Sequence, residues 1–327
     1  MNRKLNKYVN YLFDNAPSPF CDYIISKELL KEDEQTVRSA YEWAIRFKLY
    51  EELSKEQLPD GSWGGFDTAH TELIKKDKRK YKATARAITR ILDLSLEGID
   101  DPMVNKTIGV MKKYLTGELP DPEFYGKNNI YKPVGIRQQI IQNLSFFEPE
   151  NPFVAELRNL AAEFVTKACK NGSFNKNVWN TLKYKYNGLD VGLCPFTISM
   201  LSYGNIISDN VQRMILAAEW ESGDFLGAWT KACDIKTPEN PSFIFWVVTL
   251  ERLQKFSLFN EFAAEKVEPH LYSICEQILN DSSNQMEIKI NNYFYHQGQY
   301  SDARNTKQKK KNDLLLQVIR ILNNCTN

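Results

Sequence analysis

The chain has 327 residues, 43% of them hydrophobic and 25% charged, and a formal net charge of +1. That length and balance suit a folded protein with a sizeable core and exclude disorder as the default reading. The near-neutral charge excludes a global field that would attract nucleic acid or a membrane surface, and no apolar run approaches the roughly 20 residues needed to span a bilayer.

The opening residues, Met1 to Tyr8, carry no apolar stretch of signal-peptide type. The expectation is a cytoplasmic protein. From Asp33 to Gln57, Val37, Tyr41, Ala44, Ile45, Leu49 and Leu53 recur mostly at three- and four-residue spacing, an amphipathic helical stripe. Helical periodicity continues over about 81–96, 103–115, 134–147, 153–169, 195–203, 209–220, 241–255, 261–280 and 313–323. Asp101-Pro102, Asn151-Pro152 and Asn240-Pro241 each set a capping residue before a proline suited to a first helical turn. Strand-like alternation is scarce, with Met286 to Tyr295 the best stretch. The composition of elements predicts an all-α protein.

The densest signature is Gln57-Leu58-Pro59-Asp60-Gly61-Ser62-Trp63-Gly64-Gly65. Glycines recur at Gly117, Gly172 and Gly223, and a late variant reads Gly298-Gln299-Tyr300. Gly172 is followed two positions on by Phe174, and Gly223 by Phe225, as Gly61 is by Trp63. The first three separations are 56, 55 and 51 residues, which predicts an array of about six two-helix repeats. Gln57, Gly61 and Trp63 are expected to be structural. The glycine supplies a left-handed turn, the tryptophan folds back over the helix just ended, and the glutamine bonds freed backbone groups.

This run resembles the repeat motif of the terpenoid cyclases and the protein prenyltransferase β subunits. Asn15-Ala16-Pro17-Ser18-Pro19, the connection Glu97 to Val104 and its second copy Phe147 to Phe153 resemble bacterial prenyltransferase/squalene-cyclase-like repeat proteins. The resemblance implies an α/α toroid of about six helical hairpins, built as one domain over residues 1–327. The catalytic signatures of those families are not matched. No Asp-rich DxDD run is present, and Asp100-Asp101 reads as a helix cap before Pro102. The zinc pattern of the prenyltransferases (an Asp, a Cys two residues on, a distant His) finds only Asp190, Cys194 and His270, with the wrong first spacing. The histidines are His70, His270 and His296, too few for a His-rich metal site. No Gly-x-Ser-x-Gly elbow, P-loop or dinucleotide fingerprint occurs. A carboxylate pair for glycoside hydrolysis stays open, because 41 acidic residues give no way to choose one. The six cysteines lie far apart in sequence and read as small apolar core residues.

In a toroid, long segments after each glycine-aromatic motif would gather at one mouth of the barrel. Segments 64–83, 118–132, 173–194, 226–240 and 301–312 together hold 18 basic and 10 acidic residues. The expectation is a basic mouth for an anion, with Lys75, Lys76, Arg79 and Arg304 as binding cations and Trp179, Tyr184 and Trp229 as aromatic walls. Asp67, His70 and Asp190 are the candidate catalytic groups beside it. Two functions follow as expectations. One is a terpenoid-cyclase-like protein that binds an isoprenoid-type anion. The other is a non-catalytic helical-repeat scaffold for a small anionic ligand or a partner protein. No cofactor is predicted, magnesium and zinc staying open, and nucleic acid is an unfavoured partner.

Overall fold

The structure, a computed structural model, describes residues 3–15, 18–66, 80–81, 83–119, 131–222, 231–289, 298–302 and 305–325. The fold is all-α. The α-helices are α1 Arg3–Asn15, α2 Pro19–Ile24, α3 Glu34–Ala44, α4 Lys48–Lys55, α5 Thr84–Asp93, α6 Pro102–Thr116, α7 Tyr131–Leu144, α8 Pro152–Ala168, α9 Lys176–Thr181, α10 Asp209–Ser222, α11 Phe243–Leu253, α12 Phe259–Ala263, α13 Glu268–Asn280 and α14 Lys307–Cys325. A π-helical stretch, Ile25–Leu30, follows α2, and a 3-10 helix spans Pro195–Ser202. Among the described residues the strands form only two antiparallel hairpins, β1 Cys169–Lys170 with β2 Ser173–Phe174, and β3 Tyr184–Tyr186 with β4 Leu189–Val191. No described helix is long and apolar enough to cross a membrane.

The periodicity places most helices correctly, and the deviations have local causes. The stripe from Asp33 to Gln57 is two helices, with a turn at 45–47 between α3 and α4. The segment 195–203 is tightened into a 3-10 helix. The segment 261–280 is divided, α13 starting at Glu268 with Pro269 in its first turn. Met286 to Lys289 is not strand, and residues 290–295 lie outside the described residues. Capping acts where the sequence places it. Asp101 accepts from the Val104 N–H at 2.9 Å and Asn151 from that of Phe153 at 3.1 Å. Asn240 instead accepts from Ser242, and α11 begins only at Phe243.

The chain falls into two compact units, Leu53–Gly227 and Met1–Glu52 with Ala228–Asn327. In the first, α6 packs on α7, α7 on α8, and both α7 and α8 on the 3-10 helix. The Gln57–Gly65 run is a docked turn at the start of this unit. The Gln57 amide donates to the Gly61 and Met103 carbonyls, each at 3.0 Å, and to the Thr107 hydroxyl at 3.1 Å. It therefore fastens the turn to α6, the next helix but one, and does not act at the end of α4. Trp63 is fully buried and folds back as expected, its indole N–H donating to the Leu53 carbonyl at 2.9 Å. Gly61 has φ of +95°, and a Cβ there would stand 2.4 Å from the Lys106 carbonyl oxygen. Both the conformation and the close approach demand glycine.

In the second unit α14 is the hub. It packs against α1, α11, α12, α13 and the π-helical stretch. Almost every residue from Lys311 to Cys325 is buried, including Lys311, Asn312, Asp313, Gln317 and Asn323. Each of these polar groups meets a partner. Lys311 pairs with Asp281 at 3.3 Å, Asn312 donates to the Asn15 carbonyl at 2.7 Å, and Gln317 donates to Glu251 at 2.9 Å. Asp313 accepts from the N–H groups of Tyr300 and Ser301 at 3.0 and 2.9 Å. Arg320 grips Glu28, on the π-helical stretch, through Nε at 2.7 Å and Nη2 at 2.8 Å, and also donates to the Tyr300 hydroxyl at 2.8 Å. Burial opposes its charge, yet the Glu28 carboxylate holds the guanidinium well above its ordinary pKa. Of the cysteines, Cys21, Cys275 and Cys325 are core residues as read from the sequence; Cys169 and Cys194 are half-buried and Cys233 is exposed.

Gly61→Ala combines a strained φ with a backbone clash and should destabilise the protein by about 2 kcal/mol or more, read as a fall in urea midpoint at constant slope. Glu28→Gln strands the Arg320 charge and should cost about 3 kcal/mol. Adding Arg320→Met should recover most of that loss, and a double variant no better than the single one would show that the pair does not carry the coupling. The third expectation concerns acid. Hydrogen bonds from Lys7 and then Tyr8 hold the Glu276 carboxyl below its ordinary value of 4.5. Its contribution is complete above that value and is lost as pH falls through the lower folded-state pKa. The melting temperatures of the parent and Glu276→Gln should therefore differ at pH 7 and converge in acid.

Candidate functional site

Two asparagine-glycine pairs shape the part of the first unit where a site forms. Asn171-Gly172 and Asn187-Gly188 each have positive φ at both residues, 54° and 78°, then 48° and 81°. That is the type I′ geometry that closes a two-residue hairpin. Gly172, read in the sequence as a helix-repeat glycine, instead turns the β1–β2 hairpin. Gly117 does end a helix, capping α6 with φ of +80°. The segment 173–194 is thus not a long loop but strand, short helix and hairpin in succession.

The β3–β4 hairpin is held by Gln138 of α7. Its amide donates to the Tyr184 hydroxyl and the Gly192 carbonyl, each at 3.0 Å, and its oxygen accepts from the Cys194 N–H at 2.5 Å. Gln138 does for this hairpin what Gln57 does for the first turn. Its neighbour Arg137 faces the last turn of α6. The Nη1 of Arg137 donates to the Leu115 carbonyl at 3.0 Å, satisfying one of the carbonyls that a helix end leaves open. The guanidinium carbon lies 5.4 Å from the centre of the Phe153 ring and 5.8 Å from that of Tyr186, within cation–π range. Among the described residues no carboxylate lies within ion-pair distance of Arg137.

Arg137 opens onto a recess of about 400 Å³, walled by Tyr114, Leu115, Thr116, Tyr186 and Asn187 among others, with no acidic residue among the described residues that line it. Burial, with the Asp60 charge adding to it, pushes the Tyr114 hydroxyl above its ordinary pKa, so at neutral pH it stays a donor. The Asn187 amide has no partner among the described residues and stands at the hairpin tip. Among the described residues the recess therefore offers a cation without a carboxylate partner, phenol and amide donors, two aromatic rings, and the carbonyl end of α6.

The candidates from the sequence are scattered. Asp190 is an exposed hairpin residue, its side chain 62% accessible, and pairs with Lys185 at 2.9 Å. It sits across the strand pair from Lys185, so cross-strand charge pairing explains it. Trp179 is a core residue, packed on Phe164 and Phe174 with ring centres 6.0 and 6.1 Å apart, and so is no ligand wall. Tyr184 is half-buried and engaged by Gln138, beside the recess, and burial raises its pKa. Lys307 to Lys311, read as loop, are the first turns of α14. Lys309 pairs with Asp302, and Lys311 is 1% exposed and engaged with Asp281. Asp67, His70, Lys75, Lys76, Arg79, Trp229 and Arg304 lie outside the described residues. Cys194 is half-buried with its N–H on Gln138, and His270 Nε2 stands 3.1 Å from the Lys236 carbonyl oxygen, edge-on to Trp246. Among the described residues no three His, Cys, Asp or Glu side chains converge on a metal position.

Arg137 was not singled out from the sequence, because a lone arginine inside a helical stripe carries no signal. The legible clue was Tyr186-Asn187-Gly188-Leu189, a hairpin signature that would have placed aromatic residues opposite that helix. The chain matches no protein-family model, no curated protein and no solved structure.

Proposed function

We propose that this protein is a helical-repeat binding protein whose first unit takes a small anionic ligand at the Arg137 recess. The observation that carries the reading is an arginine placed by α7 beside two aromatic rings, on the wall of an open recess, with no carboxylate within ion-pair distance among the described residues. A guanidinium in that state presents a planar fork suited to carboxylate or phosphate. Of the two functions expected from the sequence, the scaffold is favoured. Alkene protonation or metal-assisted ionisation needs a carboxylate at the reacting site, and none lines the recess among the described residues. The isoprenoid-type ligand implied by the resemblance also needs a closed apolar channel for its chain, whereas this recess is open and largely polar-walled.

Inorganic phosphate and diphosphate are the direct probes. Titration of the full chain followed by NMR should show saturable shifts of the Asn187 side-chain amide and of backbone signals at 115–117. Arg137→Met keeps the bulk of the side chain and removes the charge. It should weaken binding about 10-fold or more, the worth of a charge-assisted hydrogen bond. Shifts that are absent, or that persist unchanged in Arg137→Met, would overturn the reading.

A further inference from the structure

Resting on the anion-binding reading of the Arg137 recess, we infer the class of its ligand: an anionic polyol, a sugar ring bearing a carboxylate or a phosphate. A bare anion uses only the guanidinium and the phenol and amide donors. The other features of the recess would then have no role, and they point to hydroxyl groups and to the flat face of a ring.

The recess stands at the C-terminal end of α6. Tyr114, Leu115 and Thr116, its last helical residues, form the wall, and Gly117 ends the helix there with its left-handed turn. Helix C-termini present carbonyl oxygens that lack intrahelical donors and carry the negative end of the dipole. Such a wall works against an anion but accepts hydrogen bonds from hydroxyls. Arg137 already answers one of these carbonyls, that of Leu115, and leaves the rest of its fork to the recess. Donor and acceptor therefore lie side by side, the guanidinium on α7 and the carbonyls on α6. Inorganic phosphate offers mainly acceptors and no ring face, and so meets only part of that pattern. A sugar acid or sugar phosphate offers a charged acceptor and several hydroxyl donors on one rigid ring.

The aromatic residues fit the same ligand. Tyr114 and Tyr186, each with a ring and a hydroxyl, border the recess. Ring faces pack by dispersion on the C–H face of a sugar, and phenol hydroxyls reach its rim. The Asn187 amide adds a donor and an acceptor at the mouth. A recess of about 400 Å³ holds one or two such rings. A prenyl chain would find few apolar surfaces here.

The test compares full-chain affinities by isothermal titration for glucose 6-phosphate, glucuronate, glucose, inorganic phosphate and geranyl diphosphate. The expected result is binding of glucose 6-phosphate or glucuronate at least tenfold tighter than of phosphate or glucose. Which of the two leads identifies the anionic group as phosphate or carboxylate. Arg137→Met should remove most of that affinity. Asn187→Gly keeps the positive φ of the turn, so it should fold normally, and should weaken the sugar anions severalfold and by more than it weakens phosphate. Phosphate as tight as glucose 6-phosphate, or geranyl diphosphate tighter than both sugar anions, would overturn the polyol class and leave the anion site standing. No anion responding to Arg137→Met would overturn the site as well.

Discussion

The second unit depends on one largely buried contact, the two-pronged grip of Arg320 on Glu28 with Tyr300 as a second partner. A largely buried guanidinium is costly unless its donors are met, so α14 and the two segments that meet it must hold one arrangement. Glu28 lies on a π-helical stretch that closes at Lys31 with a left-handed φ of 53° and a Glu32 N–H to Ser26 carbonyl bond at 3.0 Å. The wider π turn sets the residues that flank it apart from the ordinary helical register. Tyr300 in turn donates its N–H to Asp313, and its carbonyl accepts from Ser18 at 2.5 Å. Each group that contacts Arg320 is thus fixed by a second bond. An apolar hub would pack as tightly, but its helices could slide past one another; the polar partners of α14 allow one register.

The first unit is organised by a different device, a glutamine amide on one element that clamps a turn on another. Gln57 ties its glycine turn to α6, and Gln138 ties the β3–β4 hairpin to α7. In both, the amide bonds a backbone carbonyl next to a sharp turn and a hydroxyl close by. The second clamp has a consequence for the recess. By holding Tyr184 it fixes the hairpin, and the hairpin brings Tyr186 over Arg137, the residue beside Gln138. The structural clamp and the candidate ligand group are neighbours on α7, so one helix both positions the wall and supplies the cation.

Several of the lysines in the segments read as lying between helices are answered locally. Lys185 meets Asp190, Lys309 meets Asp302 and Lys311 meets Asp281. A count of lysines in segments between helices cannot tell paired from unpaired ones, and the basic-mouth reading rested on such a count. Arg137 differs from them because its surroundings are aromatic rings and a carbonyl, which hold a guanidinium without cancelling its charge.

The sequence by itself determined most of the helices and the caps at Asp101 and Asn151, because helical periodicity and Asp-Pro or Asn-Pro signals act within a few residues of one another. It also determined the structural role of Gln57, Gly61 and Trp63, since a left-handed glycine and a large apolar ring state their own requirements. Even there the partner of Gln57 was hidden: Met103 and Thr107 are 46 and 50 residues away. Only the tertiary structure decided that Lys311 is buried, that Trp179 is core and that Asp190 answers Lys185 on a hairpin. It alone brought Arg137, Leu115 and Tyr186 together. The reason is physical: local pattern reports what a residue does to its own helix or turn. Burial, ion pairing and the walls of a recess depend on which distant segment packs against it, and that choice is made by the whole chain.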